Sequence, residues 1–358
     1  MNQSILYKDK PLFGLDVGTS SIKVMQLGST KKNKKMRQII GYGSIQYDKS
    51  AVVDGAVVDP EIVAKALKEL FESSLIGDIS TRRVAMSLPV ARTYNRVLSL
   101  PLLKEKELEE AVRLEAEQYI PVPLDDLYLD FDTINKSAKG YEVLLSAAPK
   151  KIVDSYIALT HLLGLEIVAL ETSISASGRL VGNAENNDVP TILVDCGSLS
   201  VDITIYDKQL IVTGTIPGGG DTFTDLIAKK LDVSPQIAHT IKTKYGISYS
   251  KKQDEIIEAI EPILHSIIKE IRKMVRYYED RDDGSDSKIG QVITLGGGAN
   301  LPGLSEYLTD KLRLPARMCN PWTNIDFGKL QPPNDVEKTM YITAAGLALI
   351  DTGEIWHD

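Results

Sequence analysis

Residues 12–27 read LFGLDVGTSSIKVMQL, and this stretch decides the fold of the chain. An apolar segment ends at Asp16, a turn of small and hydroxylated residues follows, and a second apolar segment begins at Ile22. The pattern predicts a strand, a tight turn and a strand. Backbone N–H groups in such a turn approach an anion closely, so the turn is also a candidate phosphate loop that Asp16 faces. An ordinary hairpin with a polar turn is the alternative when the stretch is taken alone.

The same pattern recurs near the middle of the chain. Residues 191–210, TILVDCGSLSVDITIYDKQL, again place an aspartate, Asp195, two positions before a glycine, Gly197. A third glycine turn lies in VITLGGGANLPG at residues 292–303. Self-similarity across half a chain predicts duplicated halves that face each other.

Three loops in this order resemble those of the actin-like ATPase superfamily, which includes actin, sugar kinases and heat-shock chaperones. Residues 12–27 and 191–210 would be its two phosphate loops, and residues 292–303 its adenosine loop. The resemblance implies an α/β fold of two ribonuclease-H-like domains around a nucleotide cleft, with ATP and Mg²⁺ as ligands.

The composition excludes several other classes of protein. The chain has 358 residues, 43% of them hydrophobic and 25% charged, which is typical of a soluble globular protein of two domains. A net charge of −8 argues against a broad nucleic-acid surface. Two cysteines, Cys196 and Cys319, predict no disulfide framework and fit a reducing cytoplasm. The histidines are scattered, and neither a zinc motif nor a P-loop motif is present.

Membrane contact is expected only through a partner. The start, MNQSILYKDK, has no apolar signal core, and the end, DTGEIWHD, forms no amphipathic helix. The longest apolar run, residues 341–350, is about half as long as a membrane helix. The basic run at residues 31–37 is interpreted as a solvated hairpin tip, with a contact to anionic lipid as the alternative.

A module of two strands and helices is predicted to interrupt the first domain at residues 91–165. It contains a charged helix, KEKELEEAVRLEAEQYI, then two strands and a second helix. An insertion at this point resembles subdomain 1C of the FtsA/PilM branch of the superfamily, and QYIPVPLDDLYLDF is similar to the PilM version. The resemblance spans nearly the whole chain and implies the following division: subdomain 1A at 1–90 and 166–190, subdomain 1C at 91–165, subdomain 2A at 191–235 and 289–358, and subdomain 2B at 236–288.

The resemblance also assigns roles within the cleft. Asp16 and Asp195 would hold Mg²⁺ through its waters, because this ion usually keeps several of them. Glu171, where a strand becomes a helix, would orient the attacking water, or would serve only as a helix N-terminal charge. The residues expected to contact the nucleotide are Gly18, Thr19, Ser20, Ser21, Lys23, Gly197, Ser198, Leu199, Ser200, Gly218, Gly219, His239, Lys242, Gly297, Gly298 and Asn300. Backbone amides at Gly18, Thr19, Gly197 and Ser198 would cradle the phosphates.

One position departs from the family pattern. Relatives commonly carry AExxKxxxG, whereas this chain reads AHTIKTKYG, which keeps Lys242 and replaces the glutamate by His239. A histidine cannot clamp two ribose hydroxyls as a carboxylate can, so this departure bears on nucleotide affinity. Such sites work by placement and electrostatics, so hydrolysis is allowed but not guaranteed. The resemblance implies at most slow ATP hydrolysis, because nucleotide serves mainly as a conformational latch in many members of this branch.

The PilM resemblance implies a scaffold of type IV pilus assembly or a related secretion machine, located at the inner face of the cytoplasmic membrane. Its partner would be the cytoplasmic N-terminal peptide of an inner-membrane PilN-like protein, and nucleotide would control conformation. Position and chemistry suggest Arg92, Arg113, Tyr119 and Pro121 as peptide contacts. Assembly ATPases and self-association are further partners compatible with the resemblance. The alternatives are an FtsA-like filament-forming ATPase of division or cell shape, and a small-molecule kinase or activating ATPase.

Overall fold

The computed structural model describes residues 10–30, 36–138, 140–184, 189–280 and 288–351. Most of the basic run at residues 31–37 and all of the C-terminal DTGEIWHD except Asp351 lie outside these ranges. The strands are β1 (Phe13–Val17), β2 (Ser21–Ser29), β3 (Arg37–Gln46), β4 (Val52–Val53), β5 (Ala56–Val57), β6 (Leu75–Gly77), β7 (Arg83–Leu88), β8 (Tyr94–Leu100), β9 (Leu127–Ser137), β10 (Gly140–Pro149), β11 (Glu166–Thr172), β12 (Thr191–Cys196), β13 (Ser200–Asp207), β14 (Gln209–Pro217), β15 (Gln291–Leu295), β16 (Ala316–Met318) and β17 (Ile325–Asp326). The helices are α1 (Pro60–Glu69), α2 (Glu105–Tyr119), α3 (Lys150–Leu163), α4 (Ser173–Ala184), α5 (Gly220–Leu231), α6 (Pro235–Lys244), α7 (Gln253–Glu279), α8 (Leu304–Leu312), α9 (Asp335–Lys338) and α10 (Ile342–Ala348).

Two sheets built on the same plan form the centre of the molecule. The first has the order β11-β7-β1-β2-β3-β17, with β6 also pairing with β3, and the second has the order β14-β13-β12-β15-β16. In each sheet three consecutive antiparallel strands (β1-β2-β3 and β12-β13-β14) are joined by a parallel strand, β7 or β15, on the far side of the first. The predicted duplicated α/β architecture of two domains is confirmed.

Alternation along β1 sorts its side chains onto two faces. Phe13, Leu15 and Val17 are buried in a cluster with α1 and α3, whereas the intervening Gly14 lies against α10. A Cβ atom on Gly14 would fall 2.1 Å from the carbonyl oxygen of Ala344, so only glycine allows this helix to rest on the strand. Asp16 follows on the same face as Gly14, since strand side chains alternate with a period of two.

Helices α4 and α10 cross closely between the two sheets. A Cβ atom on Gly346 would lie 1.9 Å from the carbonyl oxygen of Ala176, and both residues are buried. The run AGLAL, which starts at Ala345, supplies the small residues that allow this close approach. The helix begins at Ile342, three residues before that run.

The insertion forms a small layer of its own. Its sheet has the order β8-β10-β9, and α2 packs on it through an apolar cluster that includes Leu108, Val112 and Leu145. Helix α3, predicted as part of this module, packs elsewhere: its Ile152 and Tyr156 lie in the core of the first domain. A helix at this point completes the first domain, so we propose that the insertion ends near residue 149 and not at 165.

Helix α7 continues past Pro262 without interruption. Its apolar face, which includes Ile256, Ile260 and Ile267, is buried against the second sheet, and Pro262 lies on the exposed side. The cost of the missing N–H is small there because water can satisfy the freed carbonyl. Within the described ranges, no helix has both the length and the apolar content required to cross a bilayer.

Candidate functional site

The turns after β1 and β12 have the same backbone hydrogen bond. The Gly18 amide donates to the Ser21 carbonyl at 3.0 Å, and the Gly197 amide donates to the Ser200 carbonyl at 2.9 Å. These two amides close the turns and are therefore not free to bind a phosphate, which corrects the donor role predicted for them. The next amides, at residues 19–20 and 198–199, take no part in these two bonds and remain the candidate anion donors.

Asp16 lies in a polar row at the end of the first sheet. Its carboxylate accepts a hydrogen bond from Ser87 Oγ at 2.7 Å and lies 3.8 Å from the ammonium of Lys23, its cross-strand partner. Ser87 in turn is the register partner of Glu171 on β11, so the three residues occupy one face of three neighbouring parallel strands. Ser87 was missed by the sequence analysis, although a lone serine one position before the end of the buried strand β7 (RVAMSL) is the signal that could have identified it.

The cross-strand neighbour of Asp195 is a second carboxylate, whereas the cross-strand neighbour of Asp16 is a lysine. The register partner of Asp195 is Asp202, which accepts a hydrogen bond from Thr215 Oγ1 at 2.5 Å. Burial, then the charges of Asp202 and Asp16, raise the pKa of Asp195 to about 7, while Lys23 opposes the shift. Burial likewise raises the pKa of Asp202 to about 6. The influence of Asp16 and Lys23 on Asp195 means that the two turns face each other across a cleft.

The third glycine loop packs directly on the second turn. Gly296 adopts a φ of 74°, and a Cβ atom there would lie 2.4 Å from Asp195 Oδ1. A Cβ atom on Gly298 would lie 2.8 Å from the Cβ of Cys196, whereas Gly297 has no atom nearer than 3.9 Å. Asn300 secures the loop: its amide nitrogen donates to the carbonyl oxygens of residues 297 and 336 and to Thr339 Oγ1.

Glu171 is held by a forked ion pair. Arg179 donates to both of its carboxylate oxygens, at 2.6 and 2.7 Å, and also to the carbonyl oxygen of Gly346 at 3.1 Å. The pair thus joins β11 and α4 to α10. A carboxylate accepts about four hydrogen bonds, so Glu171 retains acceptor capacity for a water. Its role toward the attacking water remains a prediction.

The glycine-rich segment before α5 lies over the second turn. A Cβ atom on Gly219 would lie 2.3 Å from the Gly197 carbonyl oxygen. Lys242 on α6 donates to the Gly220 carbonyl at 2.6 Å and to Thr224 Oγ1 at 2.8 Å, and burial lowers the pKa of this lysine. Lys242 therefore anchors α6 to the start of α5, while His239 one turn earlier is exposed. Nucleotide contacts by these two side chains remain predictions.

A cavity of about 270 Å³ separates the insertion from the second sheet. Its wall combines the strand start at 93–96, the end of α2 and two threonines of β14, Thr213 and Thr215. Inside it the guanidinium of Arg96 stacks on the ring of Tyr119 at 3.4 Å. This arrangement brings the insertion within one side chain of the Asp202 carboxylate, since Thr215 touches both.

Of the four predicted peptide contacts, Tyr119 lines this cavity. Arg92 is paired with Asp54, and Arg113 lies 3.6 Å from Asp125. Pro121 follows the end of α2 on the exposed surface. The structure therefore groups Tyr119 with residues that the sequence did not single out, Asn95 and Arg96 above all.

The residues of the cleft fit a nucleotide with a divalent cation. Asp195 and Asp202 are neighbouring carboxylates for which no ion pair is found among the described residues, and a bound cation would relieve their repulsion. Within the same ranges no three His, Cys, Asp or Glu side chains form a ready metal cage. Such a sparse carboxylate set suits Mg²⁺, which keeps several waters and takes phosphate oxygens as ligands.

Comparisons with known proteins identify the relatives of this chain. A family model described as "Type IV pilus assembly protein PilM" matches residues 14–352. The solved structure of a "PilM-PilN type IV pilus biogenesis complex" superposes with a TM-score of 0.79 at 25% identity, covering 95% of this chain and 98% of that one. The cell division protein FtsA of Streptococcus pneumoniae is 26% identical over 82% of this chain and 72% of its own length. MreB5 of Spiroplasma citri bound to AMPPNP, at 13% identity and a TM-score of 0.52, covers 94% of this chain and 95% of its own, and shares the fold.

Proposed function

The chain belongs to the type IV pilus assembly protein PilM family, and from this premise we propose that it is an ATP-binding scaffold that binds a PilN-like membrane protein. The bound segment would be the short cytoplasmic N-terminal peptide of that inner-membrane partner, which would hold the scaffold at the inner face of the cytoplasmic membrane. The observation that carries the proposal is the shared Thr215, which joins the nucleotide cleft to the cavity beneath the insertion.

The two facing turns support the nucleotide half of the proposal. Amides at Thr19, Ser20, Ser198 and Leu199 would donate to phosphate oxygens, and Lys23, 3.8 Å from Asp16, would add a positive charge beside the first turn. The adenosine moiety would lie between the loop at 297–300 and helix α6. The AMPPNP-bound MreB5 structure, which shares the fold, supports nucleotide binding without locating the adenosine.

Asp16 and Asp195 would hold Mg²⁺ through water, with Asp202 orienting those waters from behind. Bound Mg²⁺ would neutralise phosphate charge across the cleft. Asp16 is fixed for this task by Ser87 and Lys23, and Asp202 by Thr215. Glu171 would orient a water only with the oxygen lone pairs that Arg179 leaves, so we expect hydrolysis to be slow and nucleotide to act mainly on domain closure.

The cavity beneath the insertion supports the peptide half. Apolar Ile120 and Leu145 line it together with the stacked Arg96 and Tyr119, a combination suited to an extended apolar segment that also carries a polar or acidic group. Closure of the cleft would move β14 against β8, which already lie in contact. The affinity for the peptide would therefore depend on the bound nucleotide, because β14 forms part of the cavity wall.

Fluorescence anisotropy tests the peptide half of the proposal. The probe is a labelled synthetic peptide with the N-terminal cytoplasmic sequence of the PilN-like protein from the same cell. Tyr119→Ala should weaken its binding by about ten-fold or more, as expected when an aromatic anchor is truncated. Tyr128→Ala is the matched control, because both tyrosines belong to the insertion and both are 46% exposed.

Two results would contradict the proposal. Absence of peptide binding by the unchanged protein would exclude this partner, and an equal loss of affinity in both variants would show that the peptide does not bind in the cavity.

The FtsA relatives make a filament-forming division ATPase the second candidate. Polymers that sediment only in the presence of ATP would favour that alternative.

A further inference from the structure

The ends of β3 and β14 occupy equivalent places in the two duplicated halves. Tyr47 follows β3 and Gly218 follows β14, and each donates its backbone N–H to the neighbouring turn. The Tyr47 amide donates to the Ser20 carbonyl at 3.2 Å, and the Gly218 amide donates to the Leu199 carbonyl at 2.8 Å. Up to this bond the two halves are alike.

The two halves differ in which group donates a hydrogen bond to the carbonyl oxygen of the turn glycine, Gly18 or Gly197. In the second half the Gly197 carbonyl accepts from the Gly220 amide at 2.8 Å, and the Ser198 carbonyl accepts from the Asp221 amide at 2.9 Å. Both donors belong to the first turn of α5. The chain takes a different course after Tyr47, and the Gly18 carbonyl accepts instead from the Tyr47 hydroxyl at 2.5 Å.

This carbonyl sets the direction of a candidate phosphate donor. The C=O of Gly18 and the N–H of Thr19 belong to one planar peptide unit and point in opposite directions. A donor that holds the Gly18 oxygen therefore fixes where the Thr19 N–H points. In the second half the Gly220 amide fixes the Ser198 N–H in the same way.

We propose that Tyr47 is a positioning residue for phosphate binding, its hydroxyl taking the place that a helix N-terminal amide holds in the second half. The inference rests on the proposed nucleotide function and adds to it the residue that orients the first loop. Tyr47 acts through Gly18 and need not touch the nucleotide.

The surroundings of Tyr47 keep its hydroxyl a donor. The ring is half-buried against the core of the first domain, where the fully buried Tyr156 lies nearby. Burial, and after it the Asp16 carboxylate, raise the pKa of Tyr47 well above its usual range. The phenol consequently keeps the proton that it donates to the Gly18 carbonyl.

The test compares ATP with AMP on the full chain. Tyr47→Phe keeps the ring and removes the donor, so the dissociation constant for ATP with Mg²⁺, measured by calorimetry, should rise about five-fold or more. AMP lacks the outer phosphates, and its affinity, measured by competition with a fluorescent ATP analogue, should change less than about two-fold. A general loss of structure would weaken both ligands alike, so the difference between them identifies a positioning role.

Tyr278→Phe is the matched control. Its hydroxyl donates to Asp207 at 2.7 Å, it is also buried, and it belongs to α7 in the second domain. The control should leave both affinities unchanged. Unaltered ATP binding by Tyr47→Phe, or an equal loss for ATP and AMP, overturns this inference alone. An unchanged protein that binds no ATP removes the proposed nucleotide function and this inference with it.

Discussion

At the scale of the residue, the two hairpins at Asp16 and Asp195 share a backbone hydrogen bond in the turn and differ in charge. The position that pairs with Asp16 is Lys23, and the equivalent position that pairs with Asp195 is Asp202. The first pair is neutral as a whole, whereas the second concentrates negative charge at a partly buried place. A like-charged pair of this kind costs folding free energy and is retained where a cation must bind.

Stability should therefore fall as the pH rises. An aspartate titrates near 3.9 in the unfolded chain, and the pKa of Asp202 is about 6 and that of Asp195 about 7 in the folded protein. Between the unfolded and the folded pKa values, the folded state consequently holds more protons than the unfolded chain. The contribution of these protons to the free energy of unfolding is complete below about pH 4 and is lost as the pH rises through the folded pKa values. Asp202→Asn keeps an acceptor for Thr215 and removes one charge.

We expect Asp202→Asn to raise the thermal unfolding temperature of the ligand-free protein at pH 8, by a gain on the order of 1 kcal/mol. The gain should shrink toward pH 5, where the wild-type carboxyl is mostly protonated. Differential scanning calorimetry at the two pH values measures it, and Asp310→Asn on the surface of α8 serves as the control. A shift of equal size at both pH values would contradict the assigned titration.

What the sequence could predict at this scale was limited to residues with a local pattern. Asp16 and Asp195 are predictable because each stands two positions before a glycine. Ser87 and Tyr47 could not be identified in this way, since Ser87 meets Asp16 across 71 positions and Tyr47 meets Gly18 across 29. The occupied amides of Gly18 and Gly197 were missed for a related reason: a pattern of small residues does not reveal which N–H closes its own turn.

At the scale of the element, helices α4 and α10 pack on each other between the two domains. Each is short, and their contact depends on small residues and on the Arg179 fork to Glu171. The charged helix of the insertion, observed at Glu105–Tyr119, was predictable because apolar periodicity and the prolines that follow it decide its position. The assignment of helices to domains was harder to predict from sequence. Helix α3 was assigned to the insertion from its place in the chain, although its apolar face packs on α1 in the first domain.

Gly346→Ala tests the helix crossing. The added methyl group would lie 1.9 Å from the Ala176 carbonyl oxygen, so the helices must separate, at a cost of about 2–3 kcal/mol of unfolding free energy. Gly164→Ala is the control, because Gly164 has a φ of 63° with nothing within 4 Å and loses only about 1 kcal/mol to backbone strain. Urea unfolding measures both. A cost for Gly346→Ala no greater than that of the control would contradict the close crossing.

At the scale of the whole molecule, two duplicated domains enclose a charged cleft, and the insertion packs against β14 at the wall of that cleft. The duplicated fold was predictable from three glycine loops in order. The cavity shared by the insertion and β14 was not, because it exists only where distant segments, such as residues 93–96 and 213–215, come together. We propose that this cleft binds ATP with Mg²⁺ and that binding requires Asp16.

Titration calorimetry of ATP with Mg²⁺, on the unchanged protein and on Asp16→Ala, tests that claim most directly. We predict a dissociation constant in the micromolar range for the unchanged protein and a loss of about two orders of magnitude or more in the variant, because Asp16 accepts the hydrogen bond from Ser87 and would hold the waters of the metal ion. Equal binding by the two proteins, or no binding by either, would contradict the account of the cleft.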